Sequence, residues 1–293
     1  MRHYSVNYLY HVAVRHLHMA FELRPSSYPY ISGDSIRTVA QHYFEGDRSL
    51  DPAKVCDLDI IFVEAKNIKR FFTDIEPNIK AYFILVTHNS DTNITDEYRP
   101  YIQSKFLIHW FAQNCLIKDS KMSPLPIGLE NKWFHLHGLP KYYEEIKLES
   151  VTKKTQMLYK FSTITNPTER GLALETLKKH PLAITYDDWR EPLPYLRTLS
   201  QYKFVVSPPG NGVDCIRTWE AMYLGTIPIV KKSVLTEYFY DCGLPLLLIE
   251  DWEEVLQLTK ETLDKKYDII KPRFTCEALW VEYWINKILD KTQ

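Results

Sequence analysis

Beyond residue 30 the chain alternates between short apolar runs, rich in β-branched and aromatic residues, and polar segments long enough for one helix each. In the first half, "ISGDSIRTVAQHYFE" predicts a helix capped by Ser32 or Asp34, with Ile36, Val39, Ala40 and Tyr43 on one face. "DLDIIFVEA" and "AYFILVTHNSD" read as buried strands, and "KFLIHWFAQN" as a third strand or a strand-to-helix turn. Between them, "NIKRFFTDI" and "DEYRPYIQS" predict helices, the second interrupted by Pro100, and "SPLPIGLENKW" is a Pro-rich extended piece. Residues 141–154, "KYYEEIKLESVTKK", are charged and poor in apolar residues, which places a domain boundary there, between residues 1–145 and 155–293.

After that boundary the alternation restarts. "QMLYKFSTI", "LAITY", "YKFVVS" and "PLLLIE" predict strands. "PTERGLALETLKKH", with Pro167 in its first turn, "WEEVLQLTKETLDKK" and "CEALWVEYWINKILDKTQ" predict helices. Strands alternating with helices imply parallel sheets with right-handed crossovers. The expected architecture is α/β, two Rossmann-like domains facing a central cleft, and the pattern leaves open whether the last helix crosses back to the first domain. Ligands in such sheets bind beyond the carboxyl ends of the strands, here in the cleft.

The least ordinary stretch is "VVSPPGNGVDCIRTWEAMYLGTIPIV", residues 205–230. It reads as a strand, a Pro/Gly turn, a helix ended by Gly225 and a further strand. A glycine turn leading into a helix can hold phosphate through free N–H groups and the positive helix end, although such turns also carry glycine for backbone reasons alone. Arg217 changes the weighing. It falls in the first helical turn, where the dipole disfavours a cation by a few tenths to about 1 kcal/mol. A diphosphate in front of the loop would reverse that cost. Glu220, one turn on, is then a carboxylate acceptor for ribose hydroxyls. The plainer alternative is an Arg217–Glu220 surface pair, in the less favourable orientation for a helix. Ile216, Trp219 and Tyr223 lie on the other side and read as core.

The segment "SPPGNGVDCIRTWEAMYLGTIPIV" resembles the donor-site region of the exostosin-like glycosyltransferases and allied GT-B enzymes, over about 30 residues. "SPLPIGLENKW" and "LYKFSTITNPTER" are similar to that class as well. The resemblance implies a GT-B fold and transfer of a sugar from a nucleotide-diphosphate sugar to a hydroxyl of a glycan or glycoconjugate acceptor. It implies that Arg217 and Glu220 bind the donor, with Ser207, Gly210, Asn211, Gly212 and the following Asp214 as the loop around the diphosphate. Ser162, Asn166 and Arg170, on the loop after the second half's first strand, join them as donor-phosphate candidates, although Asn166–Pro167 is also a good helix start. A non-catalytic nucleotide-sugar or glycan-binding protein is the alternative, and a nucleotide- or phosphate-ester-utilising enzyme with a coincidental motif a third.

On the acceptor side, "THNSD", residues 87–91, ends a first-half strand and so faces the cleft. If the anomeric centre is inverted, a base must take the acceptor proton, and His88, Asp91 or Asp34 could serve. If configuration is retained, no such base is needed. His16, His18, His109, His135 and His137 read as surface or packing positions. Asp187, Asp188 and Arg190 in "TYDDWR" either line the pocket near the base or form an exposed turn. The Asp57–Asp59 pair begins a strand, at the wrong sheet edge for a metal. With no other metal-ligand spacing, no metal or cofactor is expected; arginine and helix ends carry the diphosphate charge.

Bulk properties narrow the classes. With 36 basic and 37 acidic residues the net charge is −1, which argues against nucleic-acid binding. Apolar residues make up 45% of the chain, enough for a proper core. Five scattered cysteines without CxxC spacing predict free thiols in a reducing compartment. The N-terminal stretch is broken by His and Arg every few residues, so neither a signal peptide nor a membrane span is expected. A soluble, cytoplasmic protein follows, with peripheral membrane contact left open.

Overall fold

The computed structural model describes residues 6–21, 23–46, 48–186 and 191–293. The first sheet contains β1 (His42–Phe44), β2 (Asp59–Glu64), β3 (Phe83–His88), β4 (Leu107–Gln113) and β5 (Met122–Leu125), all parallel and in sequential order. Sequential order has a consequence: every crossover steps the same way, so right-handed connections all fall on one face. The side chains obey this. Ile61, Val63, Leu85 and Trp110 pack against Leu50, Phe71, Phe72 and Ile102 from the crossovers, which include α3 (Ile68–Arg70) and α4 (Arg99–Ile102). The alternate residues Ile60, Phe62, Ile84, Val86 and Phe111 face the other way, into a second core. Both faces are covered, which is why these strands read as unbroken apolar runs.

The second sheet contains β6 (Lys154–Tyr159), β7 (Ala183–Thr185), β8 (Tyr202–Val206), β9 (Ile227–Lys231) and β10 (Leu247–Ile249), again parallel, in the order β10-β9-β8-β6-β7. Here the order reverses at β6, so helices land on both faces. On the outer face, α6 (Pro167–Leu177) buries Ala173 and Leu177, and α10 (Lys260–Ile270) buries Leu263. The inner face is covered by α7 (Pro192–Ser200), α8 (Ile216–Tyr223) and α9 (Val234–Asp241), through Leu196, Leu199, Trp219 and Phe239.

The inner faces of the two sheets belong to one continuous core. The last helix, α11 (Val281–Leu289), crosses back to the first half: the Val281 N–H donates to the Pro29 carbonyl at 3.1 Å, and Tyr30 pairs with Trp280. Trp284 and Ile288 fill the space between the sheets. Lys153 adds a polar tie, its Nζ donating to the carbonyls of Ser200 (2.6 Å) and Leu224 (2.8 Å) and to the Thr226 hydroxyl (3.1 Å). It thereby closes the carboxyl ends of α7 and α8, where a cation suits the dipole.

Three expectations change. The helix expected to run on to Glu45 is α2 (Gly33–Arg37), five residues capped by Ser32, and residues 42–44 form β1 instead. Pairing of His42, Tyr43 and Phe44 with Ile61, Phe62 and Val63 overrides the helical spacing. Pro100 lies in the first turn of α4 and opens that helix where it was expected to interrupt one. Residues 141–154 include most of α5 (Pro140–Lys147), whose Tyr142, Tyr143 and Ile146 are buried; the tyrosines carry apolar surface in a segment that looked polar. Ahead of the first sheet, α1 (Val6–Ala20) lies against residues 132–134, where His18 bonds the Trp133 carbonyl.

A shared core should melt as a unit. Scanning calorimetry of the full chain is expected to give one cooperative transition, with calorimetric and van't Hoff enthalpies equal; two resolved transitions would contradict the single core.

Candidate functional site

The reversal at β6 opens a crevice between the ends of β6 and β8, where loops diverge to opposite faces. Two loops meet there, residues 160–166 and 207–215. Arg170, buried on α6, fastens them together: Nε donates to the Pro209 carbonyl and Nη1 to the Ser162 carbonyl, both at 2.9 Å. Asn166 caps α6 by accepting from the Glu169 N–H (3.1 Å), and its amide donates to the Gly210 carbonyl (3.3 Å). At Gly210 a Cβ would fall 2.6 Å from Arg170 Nη2, so a side chain there would displace the guanidinium. The Ser207 hydroxyl bonds that of Thr218 at 2.9 Å and ties strand end to helix.

The glycine loop also docks on the first half. A Cβ at Gly212 would lie 2.4 Å from Asn114 Nδ2. The Asp214 N–H donates to Asn114 Oδ1 (2.9 Å), the Val213 N–H to Asn93 Oδ1 (3.1 Å), and Asn211 Nδ2 to Asp91 Oδ2 (3.0 Å). Asp214 itself is buried. Its carboxylate accepts from the backbone N–H groups of Ile127 (2.7 Å) and Cys215 (2.9 Å) and from the Trp219 indole (3.0 Å). Burial pushes its acid strength down, to a pKa of about 7, against the pull of those three donors. Asp214 is thus a clamp between the halves as well as a wall of the cleft.

Arg217 projects from the first turn of α8, which no side chain caps. Its Nε and Nη1 are buried without a hydrogen-bond partner, and its guanidinium carbon lies 5.9 Å from the Phe161 ring centre. On one side is a cavity of about 450 Å³ lined by Lys160, Phe161, Ser162, Tyr195 and Glu220, with Glu130 and His137 from the first half. On the other is one of about 220 Å³ lined by Asp91, Arg170, Gly210, Asn211, Gly212 and Asp214. A third, of about 240 Å³, includes His88, Asp91, Gln113 and Glu130. All three share Ile216.

Glu220 forms no surface pair. It is buried, accepts from the Tyr195 hydroxyl at 3.2 Å, and lies 3.6 Å from His137 Nδ1. Burial raises its pKa, with His137 and Arg217 opposing. The pKa of Glu130 is raised for the same reason, again against His137, and Glu220 adds to the rise. His137, expected at the surface or in packing, therefore lies in the cleft between two acids, on the loop beyond β5. The rule that strand carboxyl ends face the cleft, applied to "THNSD", would have found Glu130 and His137 too.

The three base candidates have different surroundings. His88 Nε2 donates to the Pro126 carbonyl (2.9 Å) while Nδ1 accepts from the Asn89 N–H (2.8 Å), so both nitrogens are engaged. Asp34 is buried beneath the cleft floor, bonded to Asn89 (3.2 Å) with Arg24 at 3.7 Å, and burial raises its pKa. Asp91 is exposed and borders two of the cavities. Asp187, Asp188 and Arg190 lie outside the described residues. Among the described residues no three His, Cys, Asp or Glu side chains come together as a metal site.

No family model matches the sequence, and no curated protein matches it. Solved structures do. The apo structure of OtsA superposes with a TM-score of 0.50 at 10% identity, over 82% of this chain and 74% of that one. WaaG, a glycosyltransferase involved in lipopolysaccharide biosynthesis, gives 0.39 at 10% identity over 76% and 80%. A glycosyltransferase from Rickettsia africae ESF-5 gives 0.40 at 11% identity over 99% and 84%. At these identities the likeness is one of fold: two parallel α/β sheets of the GT-B type.

Two stability measurements follow. Asp214→Ala strands three donors and is expected to cost about 3 kcal/mol in denaturant unfolding, at 1–3 kcal/mol for each buried unpaired group; a loss near zero would remove the clamp. Burial lowers the His88 pKa to about 4, whereas an unfolded histidine titrates near 6.5. The native state then binds fewer protons between those values, so its contribution is full above pH 6.5 and is lost as pH falls towards 4. Wild type should lose up to about 3 kcal/mol more than His88→Gln over that window, from 1.36 kcal/mol per pKa unit.

Proposed function

We propose that this protein transfers a sugar from a nucleotide-diphosphate sugar to a hydroxyl of a glycan or glycoconjugate acceptor, without a metal ion. The observation that carries the reading is Arg217, a guanidinium with two buried, unpartnered nitrogens in the first turn of an uncapped helix. Each unmade buried hydrogen bond costs about 1–3 kcal/mol, and the dipole adds a few tenths to about 1 kcal/mol against a cation there. A diphosphate removes both penalties. It would lie between Arg217 and the loop residues Gly210–Gly212, with α8's free N–H groups on its other flank.

Nucleoside hydroxyls fit the 450 Å³ cavity, where Glu220, held by the Tyr195 hydroxyl, offers a carboxyl acceptor and Phe161 an apolar wall. As the bond to the anomeric carbon breaks, charge accumulates on the departing diphosphate, and fixed donors aimed at it lower the barrier. The donors are already in place. The shared core between the sheets favours this preformed grip over the hinge closure common in two-domain enzymes.

For an inverting reaction, Asp91 is the base the geometry favours. It is exposed at the join of two cavities and is held by Asn211, whereas both nitrogens of His88 are engaged. The halves are proposed to divide near residues 145–155, and the five free cysteines support a reducing, cytoplasmic setting. Among the described residues no helix is long and apolar enough to cross a membrane.

Arg217→Ala is expected to weaken UDP or GDP binding at least tenfold, about 1.4 kcal/mol, by calorimetry; unchanged affinity would end the donor assignment. Asp91→Asn should leave nucleotide affinity within twofold and lower kcat about 100-fold or more if the reaction inverts. Incubation with UDP-, GDP- and CMP-sugars tests turnover itself: binding without hydrolysis or transfer under any acceptor would leave a nucleotide-sugar-binding protein.

A further inference from the structure

The three cavities differ in charge, and the difference bears on the acceptor. Arg217 lines the two cavities on the second-half side, with Lys160 in one and Arg170 in the other. The 240 Å³ cavity beside the first sheet has no Lys or Arg among its described lining residues. Its histidine, His88, has both nitrogens engaged within the protein. Asn89 and Asn131 spend amide N–H groups inside the protein, on Asp34 and on Asn89, and the Ser90 hydroxyl pairs with that of Thr92. The side chains that remain are the Asp91 and Glu130 carboxyl groups and the Gln113 amide. Gln113 is 1% exposed, and its Oε1 is buried with no hydrogen-bond partner. Ile127, Leu129 and Phe134 supply apolar surface.

We infer that this cavity is an acceptor subsite for a single hydroxyl-rich ring without negative charge, such as a neutral sugar or an amino sugar. The inference rests on the transferase reading for its role and on the cavity's own chemistry for its ligand. Two carboxyl groups and an unpartnered amide oxygen call for donors. Hydroxyl and ammonium groups donate, whereas an ionised phosphate or carboxylate offers none and would be repelled by Asp91. Gln113 Oε1 is the group that gains most, because its hydrogen bond is unmade until a ligand hydroxyl arrives. Size agrees. At about 30 Å³ per water, 240 Å³ holds roughly eight waters, the room of one ring and not of several. Asp91 borders this cavity and the diphosphate side alike, so a hydroxyl held by Gln113 comes within reach of the group proposed to take its proton.

The test uses the full chain saturated with UDP or GDP, and measures binding so that turnover is not needed. Methyl glycosides of glucose, galactose, mannose and 2-amino-2-deoxyglucose are titrated against glucose 6-phosphate and glucuronate by saturation-transfer NMR. At least one neutral or amino glycoside should bind tenfold more tightly than either anion. Gln113→Leu should weaken that glycoside at least fivefold while UDP and GDP affinity stays within twofold. Asp91→Lys, on an exposed side chain, should raise glucose 6-phosphate binding at least fivefold, and it carries the test if Gln113→Leu does not fold. Equal or tighter binding of the anions, no glycoside binding in a chain that binds nucleotide, or indifference to both substitutions overturns the subsite. Gln113-dependent glycoside binding in a chain that binds no nucleotide keeps the subsite and removes the transferase reading.

Discussion

The structure depends on how the first sheet is wound. Five parallel strands in sequential order place every crossover on one face and leave the other, lined by Ile60, Phe62, Ile84, Val86 and Phe111, to be covered by elements outside the crossovers. Exposed to water, such a face would be a broad apolar patch on the isolated half. The core on that face draws on Ile31, Ile36, Leu139 and the α5 tyrosines from the first half and on α7, α8, α9 and α11 from the second. The helix that carries Arg217 and Glu220 is therefore part of the layer that completes the first sheet. Trp219 faces the core, and Arg217 and Glu220 face the cleft. Position within the site is fixed by packing that has nothing to do with the ligand, which is what a preorganised electrostatic site requires.

The cleft then concentrates unfavourable choices. A guanidinium with two unmade hydrogen bonds, two carboxyl groups whose pKa values burial raises, and a glutamine oxygen without a partner all border connected cavities. Several other buried polar groups are fully satisfied: Lys153 uses its three donors, His88 both nitrogens, and Asp214 accepts from three N–H groups. Unpartnered buried atoms also occur elsewhere, at Ser27, Asp34, Asn114 and Trp133, but those of Arg217 and Gln113 belong to residues that line the connected cavities, where a ligand can meet them. The cations lie towards the second half, and the carboxyl groups are divided, Glu220 on the second half and Glu130 on the first.

What could be read from the sequence was local. Eight of the ten strands among the described residues announce themselves by apolar runs, β5 lies in the piece read as Pro-rich and extended, and the turn–helix–strand unit around Arg217 is recognisable because its residues are neighbours in sequence. What could not be read depends on distant partners. β1 looks helical because its spacing is 3.6-like until β2 pairs with it. The tyrosines of α5 count as polar until the fold places them in the core. Asp214 looks like a loop residue free for donor binding, and only the arrival of the Ile127 N–H, 87 positions away in sequence, makes it a clamp. His137 reads as a surface or packing position because its acid neighbour Glu220 comes from the other half.

The docking of the glycine loop onto the first half carries a thermodynamic implication. Asn211 bonds Asp91, Val213 bonds Asn93, and Gly212 rests on the Asn114 side chain, so the segment proposed to hold the diphosphate and the segment facing the first-half cavity are one hydrogen-bonded unit. Whatever shifts one shifts the other. Linkage then makes the effect mutual: if occupation of one cavity alters affinity at its neighbour, the neighbour answers by the same factor. The coupling between the neighbouring cavities then runs through these three contacts with asparagine and aspartate side chains and needs no hinge.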